Sequence, residues 1–283
     1  MSIAVPTSLD DALSRLAADP TAHVLAGGTD LMVEVNMGHR RPSAILAIDR
    51  VPELKGWHHD ATAGTVTMGA ALTYAEMADP SFARLLPALT EAARTVGSPQ
   101  IRNAGTIGGN LGTASPAGDG LPVLSALDAT VELASVRGRR TLSIHDYLVG
   151  VKRTAREPDE LVVAVTVPVL DGWQGYAKVG VRNAMVIATA SVALVTDTDA
   201  RNIRMALGSV GPVILRCPEL EALVAAEADF DAAALSSSVV ERCRALASQT
   251  ARPITDHRST AEYRRHAVGV LASRMLRRAF PNE

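Results

Sequence analysis

Apolar residues at Leu9, Ala12, Leu13, Leu16 and Ala17 recur at helical spacing behind Thr7 and Ser8, so a short amphipathic helix with a hydroxyl cap is predicted. It stops near Asp19-Pro20. His23-Val24-Leu25 reads as a short strand running into the glycine pair of Ala26-Gly27-Gly28-Thr29-Asp30-Leu31, with a helix over 31–37 and a buried strand over 44–48. Residues 1–54 are expected to form an αβαβ lobe. A half-exposed strand follows over 65–68, and a helix is predicted over 81–96 from the broad face of Phe82, Leu85, Leu86, Leu89, Ala92, Ala93 and Val96. From Gly97 to Leu121 small and turn-forming residues crowd the chain, which predicts an unusually long loop of functional kind. Strands are predicted over 131–133 and 161–167, and His58-His59-Asp60 as a surface turn. Beyond a compositional change at 170–175, strands are expected over 176–181, 184–195 and 203–209. Helices follow at 219–226, 231–249 and 259–279, the last opened by a Ser259 to Glu262 capping box. The pattern divides the chain into lobes 1–54, 55–172 and 173–283, an α+β arrangement whose last lobe runs strands then helices.

Composition narrows the functional classes. The 283 residues are 47% hydrophobic, yet only three Phe, four Tyr and two Trp are present, so the core must be aliphatic. Twenty-eight basic against thirty acidic residues give a net charge of −2 with no basic block, which disfavours nucleic-acid binding. No apolar run is long enough for a membrane span and no signal-peptide core opens the chain, so a cytoplasmic protein is expected. Cys217 and Cys243 form no CxxC.

Candidate chemistry concentrates in two loops, around Gly27-Gly28 and Gly108-Gly109. Glycine lets backbone amides approach a ligand closely, and Thr29 and Thr106 add hydroxyls, so the pair suits an elongated diphosphate; each alone could be a tight turn. Neither fits a Rossmann or P-loop pattern. Asp119 could accept ribose hydroxyls or sit in a plain Gly-Asp-Gly turn. Lys178 is either an edge-strand lysine or a charge aimed at a ligand. The seven histidines show no metal-binding spacing.

These segments have a familiar order. Ala26–Leu31, Ile101-Arg102-Asn103-Ala104-Gly105-Thr106-Ile107-Gly108-Gly109-Asn110 and Ser115-Pro116-Ala117-Gly118-Asp119 resemble the FAD-binding medium subunit of the molybdenum hydroxylases, the xanthine dehydrogenase and carbon monoxide dehydrogenase family. The likeness continues through Lys178–Ala188, Gly208–Pro212 and Asp256-His257-Arg258 to Glu262–Arg265. It implies a two-lobed PCMH-type FAD-binding domain followed by a C-terminal α+β lobe, with FAD between the first two lobes. The loops matched by Leu25, Ala26, Gly27, Gly28, Thr29, Asp30 and by Thr106, Ile107, Gly108, Gly109, Asn110 would clamp the FAD diphosphate. Asp119 would hold the ribose and Lys178 would lie near the flavin ring, with Val96 and Ile187 on its two faces and Val162 among the FAD contacts. The resemblance further implies a large partner subunit carrying molybdopterin and a small one carrying two [2Fe-2S] clusters. Such a complex would be a dimer of heterotrimers, with electrons passing from the flavin to NAD or another acceptor.

Thr29-Asp30 and Ser115-Pro116 depart from the carbon monoxide dehydrogenase pattern, and both, with Leu31-Met32-Val33 and the Trp57 region, look closer to bacterial xanthine or N-heterocycle dehydrogenases. Val186 stands where the family often carries an acidic residue. A flavin subunit of a carbon monoxide or aldehyde dehydrogenase, a stand-alone flavin oxidase and a flavin-free interaction module are the alternatives.

Overall fold

A computed structural model describes residues 2–283. In chain order the elements are β1 (Ser2–Ala4), α1 (Leu9–Ala18), β2 (His23–Leu25), α2 (Leu31–Asn36), β3 (Ala44–Ala47), β4 (Trp57–Asp60), β5 (Thr65–Gly69), α3 (Pro80–Leu85), α4 (Pro87–Thr95), α5 (Pro99–Ala104), α6 (Ile107–Thr113) and α7 (Gly120–Ala126). They continue as β6 (Thr130–Ser135), β7 (Gly138–Ser143), α8 (Ile144–Tyr147), β8 (Leu148–Gly150), β9 (Arg153–Thr154), β10 (Leu161–Pro168), β11 (Gln174–Val179), β12 (Ala190–Asp197), β13 (Asn202–Gly208) and β14 (Leu215–Arg216). Helices α9 (Pro218–Glu227), α10 (Ser237–Thr250) and α11 (Ala261–Ala279) close the chain.

The elements group into two compact units that share the chain in alternation. The first comprises 1–77, 98–114 and 129–168; the second comprises 78–97, 115–128 and 169–283. The first unit holds a parallel sheet of order β1-β3-β2 and an antiparallel sheet of order β4-β5-β10-β6-β7. Leu9, Ala12, Leu13 and Leu16 of α1 pack with Leu46, Ile48, Leu54, Leu161 and Val163 in one aliphatic cluster. Ser8 caps α1 by accepting from the Asp11 amide, which accounts for the sharp start of the helix.

The second unit is built on the antiparallel sheet β11-β12-β13-β14. Ala190, Val192 and Leu194 alternate on one face of β12 and join Ile203, Met205 and Leu207 of β13 in a core closed by α9, α10 and α11. Helices α4 and α7 also pack on this sheet. Strand β12 is therefore buried along almost its whole length, on both faces, with Ser191 and Thr196 as polar residues among its apolar ones. Among the described residues, no helix is long and apolar enough to cross a membrane.

Several elements differ from the sequence expectation. The predicted loop over 97–121 contains two short helices and the start of a third: Ser98 and Thr106 cap α5 and α6 by accepting from the amides of Ile101 and Gly109, so hydroxyl caps organise the small residues. The predicted helix over 81–96 is two, because Pro87 cannot donate to the preceding turn and starts α4 afresh. His58-His59-Asp60 lies in β4, at the edge of its sheet; the turn comes after it, where Asp60 accepts from the amides of Thr62 and Ala63. Strand β12 starts at Ala190 rather than 184, since Met185 adopts φ +49° and breaks the extended run. Helix α10 starts at Ser237 rather than 231, capped by Ser236. The cap of α11 is Thr260, not Ser259, and it accepts from the Tyr263 amide. Strand β1, parallel to β3, was not foreseen, nor was the polar edge strand β7.

Candidate functional site

The two glycine motifs lie in the first unit and meet there. Gly27 packs so closely on the end of α5 that a Cβ would stand 1.6 Å from the Ala104 carbonyl oxygen. Thr113, at the end of α6, donates its hydroxyl to Asp30 Oδ2 at 3.3 Å. Motifs about eighty residues apart in sequence thus form one surface, as a clamp on a single ligand requires.

The motifs offer a ligand different things. In the first, Gly28 takes φ +71°, and among the described residues the amides of Gly27, Gly28, Thr29 and Asp30 donate to no group of the chain. These are free donors of the kind that grip phosphate oxygens. In the second, the amides are already engaged: Ile107 donates to Leu72 O, Gly108 to Ala70 O, Gly109 to Thr106 Oγ1 and Asn110 to Thr106 O. Gly108 is required by packing, since a Cβ there would stand 2.5 Å from Ala70. What the second motif has to spare is the side chain of Asn110, whose Oδ1 is buried without a partner. Free donors in one motif and an orphaned acceptor in the other suit a ligand carrying both phosphates and hydroxyls, and FAD is such a molecule.

Behind the motifs, β10 bulges between Val162 and Ala164. Val163 O accepts from the Ala70 amide and Ala70 O from the Gly108 amide, so the bulge sets the height of α6. Val162 is itself buried in the sheet. Tyr147 anchors the far end of α6 by donating its hydroxyl to Leu111 O at 3.2 Å, and burial pushes its pKa up to about 12.

The remaining predicted residues belong to the second unit. Asp119 and Lys178, expected as separate ligand contacts, form a buried ion pair at 2.6 Å, with side chains 9% and 8% exposed. Asp119 Oδ1 accepts from the Tyr176 hydroxyl at 2.7 Å. All three protons of the Lys178 ammonium have acceptors: Asp119 Oδ2, Thr95 O at 3.0 Å and Val186 O at 3.1 Å. The lysine is therefore a strut within its own unit. Tyr176 was missed, although it stands two residues from Lys178 in β11 and so shares its face, which is the signal that could have found it. Val96 ends α4, half-buried. Ile187 is 51% exposed on the segment between β11 and β12, beside Val181 and Met185 at 69% and 54%.

Comparison with known proteins adds independent findings. Residues 1–170 match the family described as the FAD binding domain in molybdopterin dehydrogenase. Residues 176–279 match the CO dehydrogenase flavoprotein C-terminal domain. The chain is 33% identical to the glyceraldehyde dehydrogenase medium chain of Sulfolobus acidocaldarius over 95% of each. It is 32% identical to the nicotine 6-hydroxylase medium subunit of Paenarthrobacter nicotinovorans, over 96% of this chain and 95% of that one. A putative xanthine dehydrogenase FAD-binding subunit of Escherichia coli is 30% identical over 96% and 93%. Among solved structures, a chain of carbon monoxide dehydrogenase from Hydrogenophaga pseudoflava superposes with a TM-score of 0.92 at 29% identity, covering 99% of this chain and 97% of that one.

Proposed function

Since the chain belongs to the FAD-binding subunits of the molybdenum hydroxylases, we propose that it is the electron-transfer subunit of a complex that hydroxylates an N-heterocycle of the xanthine or hypoxanthine class. The observation that carries its part in that complex is the set of free amides from Gly27 to Asp30, with the orphaned Asn110 Oδ1 offered by the second motif. In this reading the four amides hold the FAD diphosphate and Asn110 accepts from a hydroxyl of the same molecule. Thr29 and Thr106 border the phosphates, and Asp119, held by Tyr176 and Lys178, faces the ribose. Val96 and Ile187 lie against the flavin ring. Bound FAD supplies the ability to take electrons singly and release them in pairs. The chain's own residues bind it, orient it and leave the chemistry to it.

The iron–sulfur clusters and the molybdopterin belong in this reading to small and large partner subunits, assembled as a dimer of heterotrimers, with NAD or another molecule as the acceptor. That division suits the cysteine count, because a [2Fe-2S] cluster is held by four thiolates and this chain has two cysteines, Cys217 and Cys243, both buried and in no CxxC. The substrate rests on Thr29-Asp30 and Ser115-Pro116 resembling the heterocycle dehydrogenases; the relatives act by name on glyceraldehyde, nicotine, xanthine and carbon monoxide. The test is the visible spectrum of the purified chain, alone and with its partners. About one flavin per chain is expected, bleached by xanthine or hypoxanthine only when the partners are present. A chain that purifies without flavin and takes up none would overturn the cofactor reading. Bleaching by an aldehyde or carbon monoxide instead would overturn only the substrate.

A further inference from the structure

Between β11 and β12 the chain runs through residues 180–189, and the last part of this segment is held by its carbonyls. Val186 O accepts from Lys178 Nζ at 3.1 Å, Ala188 O from the Ser209 hydroxyl at 2.9 Å, and Thr189 O from Arg264 Nη1 at 2.7 Å. The Thr189 amide donates to Val179 O at 2.7 Å, closing the base of the segment. The three donors come from three separate places: β11, the turn after β13, and the first turn of α11. The one residue in this run whose carbonyl is not held by them, Ile187, is the one whose side chain stands exposed.

Arg264 is the furthest of the three in sequence. It is 4% exposed, donates also to Ser209 O at 3.0 Å through Nη1, and pairs with Asp256 Oδ1 at 2.7 Å through Nη2. Its Nε is buried without a partner, so these acceptors alone fix the guanidinium. One planar group thus ties together the end of the 180–189 segment, the Ser209 turn that holds Ala188, and the Asp256 turn ahead of α11. A lysine would keep the charge but could not span these acceptors in one plane.

We infer that Arg264 is a positioning residue for the flavin ring, acting through the backbone of residues 186–189 on Ile187. This rests on the reading above that Ile187 lies against the flavin. The ion pair between buried Arg264 and half-buried Asp256 gives the C-terminal motif a reason to exist beyond the start of a helix: it fixes the height at which one aliphatic side chain is presented.

The test uses the full chain with FAD bound, in three variants: I187A, R264K and the double variant. Two readouts are taken, iodide quenching of flavin fluorescence, which reports access to the ring, and amide hydrogen exchange over residues 180–189. I187A is expected to raise the quenching constant about threefold, R264K to raise it similarly while speeding exchange at 186–189, and the double variant to exceed I187A by little, because both changes act on one contact. S209A, which removes only the Ala188 contact, is expected to move both readouts in the same direction by less, and serves if R264K does not fold. Quenching unchanged in R264K or S209A, or effects that simply multiply in the double variant, would overturn the inference while leaving Ile187 on the flavin. No effect of I187A would overturn the placement of Ile187 and the inference with it.

Discussion

At Gly27 an added methyl would collide with a backbone carbonyl, whereas at Gly112, seven residues past the Gly105 turn and exposed on α6, a Cβ would meet nothing within 4 Å. Two glycines of one neighbourhood therefore predict opposite outcomes. Gly27→Ala is expected to push the first motif off α5, destabilising the chain by about 1–3 kcal/mol and stripping it of flavin. Gly112→Ala is expected to stabilise by roughly 0.5–1 kcal/mol, the gain of replacing a helical glycine, and to keep the flavin. Thermal melts and the flavin-to-protein absorbance ratio of the two variants decide it; equal flavin loss in both would mean that the motifs respond to any added bulk. Much of this was legible beforehand, since the glycine pairs stand out in the sequence. That Gly108 of the second pair packs on Ala70 and spends its amide on the Ala70 carbonyl was not, because that partner lies nearly forty residues away and has no signature of its own.

Among the elements, the turn ahead of α11 carries a pH dependence. Burial by itself would raise the Asp256 carboxyl, but the Arg258 and Ser259 amides and the Arg264 guanidinium outweigh it and hold the pKa down from 3.8 to about 2. A carboxyl depressed by folding contributes stability that is fully present above its unfolded value and is lost as the pH falls through the folded one. Wild type should therefore lose more stability than D256N between about pH 4 and pH 2, read as the shift in urea midpoint at each pH; parallel curves would show that the pairing does not depend on the charge. Elements with strong periodicity, such as α1 and β10, could be read directly from the sequence. Strands β4 and β7 could not, because edge strands carrying polar His58-His59 or exposed Arg139-Arg140 show no apolar alternation. Helices α5 and α6 were hidden by small residues whose caps, Ser98 and Thr106, carry the signal. The Asp119–Lys178 pair joins residues 59 apart, and nothing local announces such a partner.

For the whole molecule, the alternation of the chain between its two units matters more than either sheet. The family boundary near residue 170 would cut after β10, yet α4 and α7 pack on a sheet that begins only at Gln174. A fragment of residues 1–170 is expected to melt without a cooperative transition, whereas the full chain melts cooperatively; a sharp transition in the fragment would show that the first unit tolerates α3, α4 and α7 unpaired. Three of the crossings between units, at Gly97, Ala114 and Asp128, coincide with left-handed backbone, φ +44°, +47° and +49°. The same alternation bears on how the protein is made. A ribosome releases α4 some eighty residues before the first strand that covers it, and the first unit cannot close until β10 has emerged. For that interval α4, with Leu89, Ala92 and Ala93, lacks the sheet it packs on in the finished fold, and it is before β11 is made that the growing chain is most exposed to aggregation.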